Sequence, residues 1–95
     1  MAEEKKIAAV REYLESELPG CSIEDSRDFD QGGQTFRIAF GGAMYVTIVS
    51  DEFLDKLNST DIPESLRRFT LAEHLRELPS TPVLVTNVGL KLEYE

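Results

Sequence analysis

The chain is poor in the residues that most small functional sites are built from. It holds one cysteine, Cys21, and one histidine, His74, in 95 residues. A lone cysteine excludes an intrachain disulfide and any cysteine-rich metal site, and it suits a reducing compartment, so the expected location is cytoplasmic. Basic residues are scarce as well. Ten Lys and Arg stand against 18 Asp and Glu, a formal charge of −8, which argues against a nucleic-acid partner because phosphate binding needs clustered cations. No apolar run approaches the roughly 20 residues of a membrane span, and Ile7–Val10 is too short for a signal-peptide core of about 7–15. No membrane is expected as a partner.

What is present reads as one α+β domain over residues 1–95. Ile7, Val10, Leu14 and Leu18 form one apolar stripe at helical spacing, with Pro19-Gly20 as its stop, which predicts a helix over about 3–18. Cys21–Phe29 alternates, but Asp25 and Arg27 interrupt its apolar side, the mark of an edge strand. Asp30–Gly33 follows as a turn, then Phe36, Ile38 and Phe40 alternate with Thr35, Arg37 and Ala39. A third strand spans Met44–Val49. A three-residue loop, Gly41–Ala43, pairs Ile38 with Val46 and puts Phe36, Ile38, Phe40, Met44, Val46 and Ile48 on one face; a Gly41-Gly42 loop divides them. The shared face is the expectation, and the layered architecture and binding role are drawn from it.

Ser50-Asp51 offers a helix start before Phe53, Leu54 and Leu57. Ile62, Leu66 and Phe69 then repeat at i, i+4, i+7, as do Leu71, Leu75 and Leu78, but Leu71 lies nine positions after Ile62. At about 100° per residue the two stripes are half a turn out of phase. Two short helices, about 62–69 and 71–78, broken at Thr70 with a Thr70/Glu73 capping box, resolve the conflict; a continuous helix sandwiched against a partner is the rival. Val83–Val85 and Leu90–Tyr94 close the chain as a hairpin around Thr86–Gly89. The expected order is α-β3-α-β2, an antiparallel sheet with helices packed on one face.

Chemical candidates fail one by one. His74 with Glu77 lacks the second histidine of a zinc site. Cys21 opens a strand, with nothing nearby to activate a thiolate. Asp28–Gly33 resembles a calcium loop until its twelfth position, Ala39, where a bidentate Glu is needed. Neither glycine pair has phosphate-loop spacing. No catalytic residue, metal or cofactor is expected. The apolar surplus around the break, Ile62, Leu66, Phe69 and Leu71, is the candidate partner-binding surface, while His74 and Tyr45 are the candidates for a ligand pocket between sheet and helices.

Two resemblances attach to this order. The opening α-β-β-β-α, over about residues 3–78, resembles the double-stranded-RNA-binding domain, but that family's Lys-rich second helix start is here Asp61–Leu66, acidic and without lysine, so RNA binding is not implied. The full α-β3-α-β2 order resembles the secretion-chaperone-like fold. Type III secretion chaperones of that fold are small, acidic, cytosolic homodimers that bind unfolded client segments. The resemblance implies a non-enzymatic protein-binding module, a chaperone-like or adaptor homodimer; a small-molecule or enzymatic domain with its pocket near His74 is the alternative.

Overall fold

The structure is a computed structural model and describes residues 4–28, 32–77, 82–86 and 89–92. Its elements run α1 (Glu4–Glu17), β1 (Ser22–Asp28), β2 (Gly33–Phe40), β3 (Ala43–Ser50), α2 (Asp51–Lys56), α3 (Ile62–Arg68), α4 (Leu71–Glu77), β4 (Val83–Thr86) and β5 (Gly89–Leu92). This is the α+β order the sequence predicts. The tip of the first turn at 29–31, the helix stop at Leu78-Pro79, the last turn's Asn87-Val88 and the Tyr94 end of the final strand lie outside the described residues.

The five strands form one sheet in the order β1-β2-β3-β4-β5. Three of its pairings are antiparallel, but β3 and β4 run parallel, so the expected antiparallel sheet is mixed. The reason lies in the connection. Parallel neighbours need a long crossover, and α2, α3 and α4 supply it, returning the chain to the end of the sheet where β3 began.

The β2–β3 register corrects a second expectation. Gly41 and Gly42 both take positive φ, 59° and 80°, as the two-residue I′ hairpin turn requires. Phe40 then pairs with Ala43, Ile38 with Tyr45 and Phe36 with Thr47, so Ile38 and Val46 point to opposite faces. Alternation alone did not decide this, because β3 offers apolar side chains on both faces; the two glycines did. Burial follows the turn. Phe36, Ile38, Val49, Val83 and Val85 join one buried cluster with Val10, Leu14, Leu18, Phe53, Leu54, Ile62, Leu66, Leu71 and Leu75 from all four helices. By register, every sheet residue of that cluster projects from one face. The layers survive the changed register, with Tyr45, Thr47 and Val49 opposite the β2 residues in place of Met44, Val46 and Ile48, but the binding role drawn from the shared face loses that basis. Buried Thr47 is satisfied there, its hydroxyl donating to the Val83 carbonyl at 2.9 Å.

Two contacts set the helices. The break at Thr70 is present, with Thr70 at φ 54°, and both apolar stripes thereby turn into the same core. It is not the expected capping box. Thr70 is in the left-handed region instead of the extended one, its hydroxyl contacts the Phe69 carbonyl and His74 Nδ1, and the N–H of Ala72 is satisfied from elsewhere. That partner is Tyr13 of α1, whose hydroxyl accepts from the Ala72 amide at 3.1 Å across 59 residues of chain. At the other end of the crossover, Ser50 caps α2, its Oγ accepting from the Phe53 amide at 3.2 Å, as the sequence predicts. Among the described residues, no helix is long and apolar enough to cross a membrane.

A β-branched residue in the left-handed region is strained by about 1–2 kcal/mol, so Thr70→Asn raises stability by about 1 kcal/mol in urea unfolding; a loss shows that the hydroxyl contacts outweigh the strain. Tyr13→Phe leaves the buried Ala72 amide unpaired and lowers stability by about 1–2 kcal/mol. Burial raises the Tyr13 hydroxyl above its ordinary 10.0. The unfolded chain therefore releases that proton first, and stability falls as pH rises above 10. Urea midpoints across alkaline pH check this, with the slope shallower in Tyr13→Phe.

Candidate functional site

The sequence-predicted partner surface is absorbed by the chain's own interior. Ile62, Leu66 and Leu71 are each 0% exposed. The bend at Thr70 is the physical reason, since it rotates the two out-of-phase stripes onto one core and leaves no surplus. Phe69 alone of the four stays half-buried, its ring 6.0 Å from that of Phe53. The ligand candidates are also separated. His74 is half-buried and its Nδ1 lies 2.9 Å from the Thr70 carbonyl, a contact that braces the bend. Tyr45 packs against the core cluster from β3. Neither lines any of the described cavities, and the expected space between sheet and helix pair is filled by Leu66, Leu71 and Leu75.

Cys21 is half-buried against the same cluster, and burial raises its thiol, the direction opposite to that of a reactive cysteine. Among the described residues, no group of three His, Cys, Asp or Glu side chains is placed to hold a metal ion.

The inward charges of β1 find partners. Arg27 makes a two-pronged contact with Asp51 at the start of α2, both bonds at 2.5 Å. Asp25 accepts from Arg11 of α1 and, at 3.1 Å, from the Gln34 amide of β2. These pairs tie the edge strand to two helices. The Arg27 guanidinium holds the Asp51 carboxyl below its ordinary 3.8.

Two surfaces remain that the sequence reading missed. The first is the sheet face turned away from the helices. By register it carries, in successive rows, Ser22, Ala39 and Met44; Glu24, Arg37 and Val46; and Ser26, Thr35, Ile48, Leu84 and Lys91. Met44 is 54% exposed, Val46 in the next row is half-buried, and in the row beyond it half-buried Leu84 pairs with buried Ile48. The signal for this strip was the Gly41-Gly42 pair, read as a two-residue turn. The second is a cleft of about 320 Å³ between α2 and α3, lined by Phe53, Lys56, Leu57, Ser65, Arg68 and Phe69. Its residues come from two short helices and their C-caps, Leu57 and Phe69, whose facing sides no periodicity argument on either helix identifies.

No protein-family model, no curated protein and no solved structure matches the chain.

The Asp51 carboxyl, charged more readily in the folded state, contributes stability above pH 3.8 that is lost as pH falls through its lower folded value. Asp51→Asn therefore costs about 1 kcal/mol near neutrality, and its gap to the parent chain closes below pH 3.8, as acid urea titrations check.

Proposed function

We propose that the chain is a non-enzymatic protein-binding module of the cytoplasm, a chaperone-like or adaptor homodimer, and that a second copy docks on the outer face of its sheet. The observation that carries this reading is the aliphatic strip of Met44, Val46 and Leu84, with Met44 at 54% exposure. An exposed apolar face costs free energy in water and is relieved by association. β3 is the central strand, so the strip runs down the middle of the face.

The charges around it favour a copy of the same chain. Exposed Glu24 stands on β1 at one edge of the sheet and exposed Lys91 on β5 at the other. A two-fold axis along β3 lays each strip on its copy and each Glu24 edge over a Lys91 edge, the self-complementarity an isologous interface needs. Pairing through the free edge of β1 is the less favourable route, because Asp25 and Arg27 point inward there and are held by Arg11 and Asp51. The single half-buried thiol of Cys21 fits the reducing cytoplasm.

Sedimentation equilibrium tests the reading. The parent chain sediments as a dimer at micromolar concentration, and Met44→Glu weakens the association by about tenfold. Glu24→Lys weakens it too, and adding Lys91→Glu restores it. A parent chain that remains monomeric at high micromolar concentration overturns the reading, as does a charge swap that restores nothing.

A further inference from the structure

The α2–α3 cleft combines features that the outer face lacks. Phe53 and Phe69 stand in it with ring centroids 6.0 Å apart and planes tilted by 51°, and Leu57 extends the apolar wall. Lys56 at the end of α2 and Arg68 at the end of α3 reach it, with the Ser65 hydroxyl alongside. Among the described residues no carboxylate lines it, in a chain whose formal charge is −8. Among the described residues Arg68 is held only by an exposed i,i+4 pair with Glu64 at 3.8 Å, a contact of little strength that leaves its guanidinium able to turn toward an anion in the cleft. A volume of about 320 Å³ is at the lower end of the range for small-molecule pockets.

We propose that this cleft binds a small carboxylate with an apolar body, an acyl or aryl acid. The body packs against Phe53, Leu57 and Phe69, and the carboxylate is held by Lys56 and Arg68, with Ser65 as a hydroxyl donor. Charge complementarity selects the class. A neutral apolar molecule leaves the two cations unused, and an apolar cation meets like charge. This site is separate from the outer sheet face and does not depend on dimer formation.

The test is a titration followed by amide resonances of the full chain, with sodium octanoate as probe and octan-1-ol and octylammonium as controls. Octanoate shifts resonances of Phe53, Lys56, Leu57, Ser65, Arg68 and Phe69. Octanol and octylammonium bind about tenfold more weakly, and the double substitution Lys56→Gln with Arg68→Gln lowers octanoate affinity by about tenfold. Both substituted side chains are exposed, so the rest of the spectrum stays unchanged and reports an intact fold. Equal binding of octanol and octanoate overturns the proposal, as does an unaltered affinity in the double variant. Shifts confined to Met44, Val46 and Leu84 overturn it also, as does silence toward octanoate with shifts from an acidic leucine-containing peptide.

Discussion

The turn at Gly41 and Gly42 is the constraint from which the rest of the molecule follows. With both residues at positive φ the hairpin closes in two residues, and its twist matches that of the flanking strands. A third loop residue would exchange the two faces of β3. Met44, Val46 and Ile48 would turn toward the helices, while Tyr45, Thr47 and Val49 turned outward. Instead Val49 is fully buried, Thr47 reaches the Val83 carbonyl, and Met44, Val46 and Ile48 line the far side. Two glycines thus decide which residues of β3 face away from the helices.

Once that face is set, polar contacts hold the helical layer at its ends and apolar packing fills its middle. Arg11–Asp25 ties α1 to the edge strand, Arg27–Asp51 ties the same strand to α2, and the Tyr13 hydroxyl ties α1 to the first turn of α4. The last two join elements that are not neighbours in sequence, and all three place a polar group beside the apolar core. Charged groups on the inward side of an edge strand also discourage a further strand from adding there. The chain thereby limits association through its β1 edge and leaves the outer face uncovered.

Much of the architecture was legible in the residues. The stripe from Ile7 to Leu18 marked α1, the charges at Asp25 and Arg27 marked β1 as an edge, and the half-turn phase conflict between Ile62 and Leu71 located the break at Thr70. What escaped was non-local. Alternation in β3 was satisfied by either register, so the choice rested on turn geometry. The burial of Ile62, Leu66 and Leu71 followed from the bend itself, which removed the surplus that had suggested a partner surface. The parallel pairing of β3 and β4 depends on how far the three-helix crossover carries the chain, which local pattern does not encode. The α2–α3 cleft is assembled from residues that look like ordinary helix termini and core when read one helix at a time.

The surfaces assigned to association and to ligand binding lie on different elements, and the first rests wholly on the register of one hairpin. Cross-strand nuclear Overhauser contacts between β2 and β3 measure that register directly. The account predicts backbone contacts linking Ile38 to Tyr45 and Phe36 to Thr47. Contacts linking Ile38 to Val46 and Phe36 to Ile48 in their place would return the aliphatic strip to the interior and contradict it.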